Sequence, residues 1–285
     1  MIAAISGAGG FIGRALTRSF REKGWTVRTI DRESFTLPDP AFTEQKIESA
    51  DVVINLAGAP VSKRWNNRYK EEILRSRVQT TRKIIGAIEH SVGKPGLFIC
   101  ASAVGIYDSR ETHTEESQSF ASTYLSYVCQ QWESEAIRAA TSCRVVTARL
   151  GVVLGKEGGA LKSMYFPFSI GLGGKIGNGR QAVSFIHLDD LVDAFHFLIE
   201  TPAMKGPVNL VSPYPTDNTE FTETLSKVLR QPAWLTIPGI LIKTIFGEGA
   251  KVLLDGQRAV PAKLTDAGFQ FRHPTIRNAM VAIYG

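Results

Sequence analysis

The chain has 285 residues, 44% of them hydrophobic and 21% charged, which is long enough for a large core plus a smaller second unit and excludes disordered or fibrous polypeptides. Its 33 Lys and Arg against 27 Asp and Glu leave a charge of +6 with no run of five like charges. That balance suits an anionic small ligand and gives no specific support to a nucleic-acid face. No window approaches the ~18 uninterrupted apolar residues of a membrane span, since the most apolar C-terminal stretch, Ile237 to Phe246, contains Lys243. The opening MIAAISGAGGFIG lacks a basic leader, so no signal peptide and a cytoplasmic location are expected. Cys100, Cys129 and Cys143, odd in number and set in apolar segments, read as buried small hydrophobes.

In chain order, Ile2 to Ser6 reads as a strand that ends in glycines, Arg14 to Lys23 as an amphipathic helix stopped by Gly24, and Thr26 to Ile30 as a second strand. A unit of about 30 residues in this order is a parallel crossover. Asp51 to Gly58 reads as a strand running into a turn, Tyr69 to His90 as a long helix, and Leu97 to Ser102 as a strand. Thr123 to Ala140 is helical by pattern, Arg144 to Leu150 is a strand, and Asp189 to Glu200 is a helix opened by an acidic pair. Gly155 to Gly159 and Gly171 to Gly179 interrupt the alternation as loops expected to border a cleft. The fold class is therefore α/β, a Rossmann-type doubly wound parallel sheet over residues 1–230, with a smaller, mostly helical C-terminal substrate or lid region over 231–285.

Gly7, Gly10 and Gly13 stand between the first strand and the first helix in the spacing G-x-x-G-x-x-G. A pyrophosphate must approach the backbone at a helix N-terminus, where a Cβ would block contact and free N–H groups attract anions. The second strand ends in Asp31 and Arg32, which argue opposite ways. A carboxylate accepts both adenosine ribose hydroxyls of NAD, whereas a guanidinium pairs the 2′-phosphate of NADP.

Together GAGGFIG, NLAGAP at Asn55 to Pro60, ASAVGIY at Ala101 to Tyr107, RLGVVLG at Arg149 to Gly155 and FIHLDDL at Phe185 to Leu191 resemble an extended short-chain dehydrogenase/reductase. The segments PFSIGLGGKIGNGRQAVSFIHLDD and LLDGQRAVPAKLTDAGFQF are similar to the atypical group labelled "epimerase family protein", or nucleoside-diphosphate-sugar epimerase, with its small C-terminal domain. The likeness implies that Gly7, Gly10, Phe11, Ile12 and Gly13 hold the pyrophosphate and that Asp31 and Arg32 meet the adenosine end. By the same likeness Leu56, Ala57 and Gly58 lie beside the adenine ribose, Arg77 and Thr81 face that turn, and Leu150, Gly151 and Val152 line the nicotinamide side after Arg149. His187 and Asp190 would lie under the substrate cleft, although a hydrogen-bonded core histidine and a helix cap explain them as simply. The expected cofactor is NADP, with NAD the alternative.

Typical members of that family work with Tyr-x-x-x-Lys on one helix and a Ser or Thr from the preceding strand. The lysine binds the nicotinamide ribose and lowers the tyrosine from its ordinary pKa of ~10. Here STYLSYVCQQWESEA, Ser122 to Ala136, has no lysine. Matching Glu133 to the usual acidic residue puts Leu125 and Cys129 at the two positions. Tyr124 is one residue off, about 100° around a helix, and Tyr127 has Gln131 where lysine should stand. Candidate catalytic hydroxyls are therefore Ser102, Tyr107 and Tyr124, with a bond from Ser102 to the cofactor amide favoured over its orienting a carbonyl, and Cys129 a candidate thiol. No paired Cys or His spacing suggests a metal, and no G-x-S-x-G elbow suggests a hydrolase. Two functions remain: an NAD(P)-dependent, epimerase-like oxidoreductase acting on a small carbonyl or nucleotide-sugar-type substrate, or a catalytically impaired NADP(H)-binding regulatory or scaffold protein. Neither membrane nor nucleic acid is an expected partner.

Overall fold

The computed structural model describes residues 1–36 and 41–285. Six parallel strands form the central sheet: β1 (Ile2–Ser6), β2 (Thr26–Ile30), β3 (Val52–Asn55), β4 (Leu97–Ala103), β5 (Arg144–Leu150) and β6 (Gly206–Leu210), in the order β6-β5-β4-β3-β1-β2. Successive strands move outward from β1 in opposite directions, so the order reverses there and leaves a crevice at the carboxyl ends of β1 and β3. Alternating side chains divide between two cores. Ala3 and Ile5 join Leu16, Phe20, Leu191 and Phe195 on one face, while Ala4 and Val53 join Ile84, Ile88, Phe98 and Trp132 on the other.

The helices covering those faces include α1 (Phe11–Glu22), α2 (Asn67–His90), α3 (Tyr124–Ala136) and α4 (Leu188–Glu200). Local chemistry sets their starts. The Asn66 side chain accepts from the Tyr69 N–H at 2.8 Å, and the Thr123 hydroxyl accepts from the Ser126 N–H at 3.2 Å. Helix α1 starts at Phe11, three residues before the patterned Arg14, because the glycine turn feeds directly into it. Helix α3 ends at Ala136 and continues as a 3₁₀ turn over Ile137–Thr141. Strand β6 and the helices Gly159–Ser169 and Asn218–Leu229 are additions to the sequence reading. Strand β6 opens Gly-Pro, and Pro207 is tolerated there because β6 is an edge.

Residues 231–285 share cores with the body instead of closing one of their own. Leu235–Ile237 pairs with Gly174–Ile176, and Arg258–Ala259 pairs with Thr112–His113. The final helix, Ile276–Tyr284, sends Ile276 and Met280 into a core with Leu154, Phe185, Phe221 and Leu225. Leu264 and Phe269 reach the core beneath α4. No helix among the described residues is long and apolar enough to cross a membrane.

The C-terminal end of α4 is held from below by β5. The Arg144 guanidinium donates to the carbonyls of Leu198, Thr201 and Met204 at 3.0, 3.2 and 2.7 Å, tying the last turn of α4 to the turn that follows it. Arg144→Met keeps the stem and removes these bonds. It is expected to lower unfolding free energy by about 2–3 kcal/mol, read as a shifted urea midpoint with an unchanged slope.

Candidate functional site

A cleft of about 640 Å³ runs along the carboxyl ends of the strands. Its floor begins with the glycine turn. Gly7 has φ +80°, and a Cβ on Gly13 would lie 2.2 Å from the Gly7 carbonyl oxygen, so neither position accepts a side chain. Gly7, Gly10, Phe11, Ile12 and Gly13 line the cleft, followed by Leu56 and Gly58 after β3, Ser102 at the end of β4, and Leu150, Gly151 and Val152 after β5. The glycine-rich segment after β5 folds over Phe11, for a Cβ on Gly158 would meet that ring at 2.4 Å. Bare backbone at a helix N-terminus is the cradle a pyrophosphate requires, and these residues fit that group.

Arg77 reaches the cleft from α2. Its Nη1 donates to the carbonyls of Ala59 and Ile73, each at 3.1 Å, and its guanidinium lies 5.2 Å from the centre of the Trp132 ring. Burial lowers its pKa, yet a guanidinium remains charged. It is the one charged side chain lining the cleft among the described residues. Ala57 does not line the cleft; its N–H donates to Asn55 Oδ1 at 3.1 Å. Thr81 is buried behind the wall, accepting from Asn55 Nδ2 and Trp132 Nε1, both at 2.9 Å.

Asp31 and Arg32 are exposed at the end of β2. Asp31 Oδ1 accepts from the Ser34 N–H and hydroxyl, both at 3.0 Å, and these bonds hold its carboxyl below the usual range. The carboxylate is thus turned to the start of the next helical turn.

Of the catalytic hydroxyls expected from sequence, the structure brings only Ser102 into the cleft. Tyr107 is fully buried, donating to Asn209 Oδ1 at 2.9 Å and accepting from Arg149 Nη1 at 2.7 Å. Tyr124 points away and donates to the Lys70 carbonyl at 2.7 Å, and Tyr127 is exposed. Leu125 and Cys129 line the cleft. Burial pushes the Cys129 thiol up to about 12, which removes it as a nucleophile near neutral pH. The residue missed by sequence reasoning is Glu133, used there only as an alignment marker. Its Oε1 accepts from the Ser102 hydroxyl at 2.6 Å, while Arg149 clamps the same carboxylate with bonds of 2.9 and 2.7 Å.

His187 and Asp190 serve the C-terminal segment. The His187 Nδ1 accepts from the Asp189 N–H at 3.1 Å and caps α4, a role expected of the acidic pair. Asp190 instead accepts from the backbone N–H groups of Arg272 and His273 at 2.7 and 3.0 Å. His187, Asp189 and His273 bring ligand-type atoms within 4.8 Å of one another. A cation there would displace the capping bond and face the positive end of α4.

Comparison with known proteins agrees with this geometry. Residues 3–212 match the NAD dependent epimerase/dehydratase family, and residues 237–283 match a domain of unknown function. The chain is 35% identical to the mouse epimerase family protein SDR39U1, with 97% of each chain covered. It is 38% identical to the epimerase family protein MT2273 of Mycobacterium tuberculosis, covering 98% of this chain and 96% of that one. The crystal structure of human epimerase family protein SDR39U1 with NADPH superposes with a TM-score of 0.91 at 30% identity, over 100% of this chain and 99% of that one.

Acid sensitivity follows from His187. Burial first, and the neighbouring His273 second, lower it to about 4, against about 6.5 in an unfolded chain. Between those values the unfolded state binds the extra proton, so stability is present above about pH 6.5 and is lost as pH falls toward 4. His187→Asn keeps an N-capping oxygen and does not titrate. The parent is expected to lose about 2 kcal/mol more than the variant between pH 7 and pH 5, as read by chemical denaturation at both values.

Proposed function

The chain belongs to the NAD dependent epimerase/dehydratase family, and from that premise we propose that it is an NADP(H)-dependent oxidoreductase that interconverts a carbonyl and an alcohol. The observation that carries this reading is the convergence in one cleft of the glycine cradle, the strand-end backbone at Leu56 and Gly58, and Ser102. Gly7, Gly10 and Gly13 take the pyrophosphate. Arg32 takes the adenosine 2′-phosphate, favoured because Asp31 is already bonded to Ser34. Ser102 and the turn Leu150 to Val152 lie on the nicotinamide side. A bound dinucleotide supplies or accepts hydride at nicotinamide C4.

Proton handling then falls to this chain. With the Ser102 hydroxyl donating to Glu133, its oxygen keeps lone pairs for a substrate hydroxyl. In oxidation, Ser102 Oγ takes the substrate's hydroxyl proton as its own proton passes to Glu133 Oε1. In reduction, the two transfers reverse and the carbonyl oxygen gains the proton. Arg149 orients the carboxylate. A second reading, a dinucleotide-binding regulator without turnover, draws on Leu125 and Cys129 at the places of the family's usual pair.

Calorimetric titration with NADPH and NADH, coupled to turnover, separates these readings. Arg32→Ala is expected to weaken NADPH by about 1–3 kcal/mol and leave NADH unchanged. Ser102→Ala, which leaves the Glu133–Arg149 pair intact, is expected to cut turnover about 100-fold or more while retaining NADPH affinity. Tight NADPH binding with no turnover on any carbonyl supports the regulator, and absence of NADPH binding overturns both.

A further inference from the structure

Beyond the dinucleotide cradle, the cleft is walled by Met164, Ile176, Val183, Phe221, Val252 and Leu253. These come from the segments that follow β5 and from the C-terminal region. Of the polar side chains of this wall, Gln181, Ser184, Asn218 and Gln257, the first three are bonded to the backbone. Gln181 Nε2 donates to the Ile176 and Leu253 carbonyls at 3.1 and 3.3 Å, and Asn218 Oδ1 accepts from the Ile176 N–H at 2.7 Å. Ser184 Oγ donates to the Gln257 carbonyl and accepts from the Ala259 N–H, both at 2.8 Å.

Charge is scarcer still. Arg77, the one charged residue lining the cleft among those described, lies against Gly58 and Ala59 on the cradle side. Lys175 and Arg180 stand beside the wall in sequence but do not line the cleft, and Arg180 is exposed. A nucleoside diphosphate carries negative charges that must be paired when taken from water, and a sugar carries hydroxyls that must each find a partner. No charged side chain of this wall meets the first need, and its polar side chains are few against the apolar ones. An apolar group loses nothing in such a wall and gains by leaving water.

We propose that the substrate half of this cleft takes a neutral, apolar, phosphate-free carbonyl compound or its alcohol, and not a nucleotide sugar. The inference rests on the oxidoreductase reading and narrows its substrate. Hydride from the reduced nicotinamide forms the new C–H bond at the carbonyl carbon, and the proton from Ser102, replaced through Glu133 from water, forms the O–H bond.

The test uses the full chain loaded with NADP⁺, so that an aldehyde binds without being reduced. Octanal and UDP-glucose are titrated in parallel by calorimetry, on the parent and on Val183→Asp and Leu253→Asp. Leu253 is 39% exposed, so its variant tests the wall even if Val183→Asp fails to fold. Octanal is expected to bind and to weaken about tenfold or more in either folded variant, where a carboxylate faces the ligand. NADPH affinity should stay within about twofold, since these residues lie outside the cradle. UDP-glucose binding, no octanal binding, or octanal binding indifferent to both substitutions overturns the substrate class. Turnover with NADPH discriminates the underlying reading. Octanal that binds as expected yet is never reduced sinks the oxidoreductase and leaves the ligand chemistry standing, whereas UDP-glucose oxidised at a hydroxyl carbon by NADP⁺ does the reverse.

Discussion

Arg149 stands at the carboxyl end of β5 with 4% of its surface exposed, and the arrangement of the cleft depends on how its charge is compensated. Taking a guanidinium out of water costs several kcal/mol unless every donor finds an acceptor. Burial by itself would lower its pKa, but the bidentate bonds to Glu133 outweigh burial and raise it. A third N–H, on Nη1, meets the Tyr107 hydroxyl, and the guanidinium lies 5.1 Å from the centre of the Tyr107 ring. Fixing Glu133 fixes Ser102. Fixing Tyr107 places its hydroxyl on Asn209 of β6, whose N–H donates to Glu115, and Glu115 also accepts from the Lys263 N–H. One buried cation therefore ties the cleft floor to the last strand and the C-terminal segment through bonds that fail together if any partner is removed.

The same arrangement accounts for Tyr107 behaving as structure. A phenol fully enclosed between Arg149 and Asn209, its pKa raised by burial, has no path to a ligand. Helix α3 turns Leu125 and Cys129 toward the cleft. Leu125 packs so closely over Gly105 that a Cβ there would come within 2.6 Å of its Cδ2. Cys129 closes the position one turn later with 1% exposure.

Strands β1, β2 and β5 and the glycine turn were legible in the sequence because each signal is local: an apolar run, a β-branched run, a fixed glycine spacing. Helix α3 was legible to within one residue at its start, and the alignment on Glu133 placed Leu125 and Cys129 on the cleft. What could not be read was non-local. Nothing near Ser102 in sequence announces Glu133, 31 residues away, as its acceptor, and nothing near His187 announces His273. Helix Gly159–Ser169 was hidden by Pro167 within it and by the glycines before it, which punctuate loops more often than they precede helices. Those glycines answer to Phe11 and the close approach it imposes.

The two halves of the cleft have different origins in the chain, and this bears on how such a site diverges. The cradle is backbone at strand ends, where almost any side-chain change on the sheet faces leaves the N–H groups in place. The far wall is side chains, and Val252 and Leu253 come from the segment 237–283 that matches a separate domain. Asp190 holds that segment to the start of α4 through the Arg272 and His273 backbone, and the core around Phe221 and Met280 packs behind it. Substitutions in the segment can therefore alter the polarity of the substrate wall while the sheet, the glycine turn and the Arg149 network keep their bonds. A change in the polarity of that wall needs no change in the fold, only exchange of a few side chains on elements already anchored elsewhere.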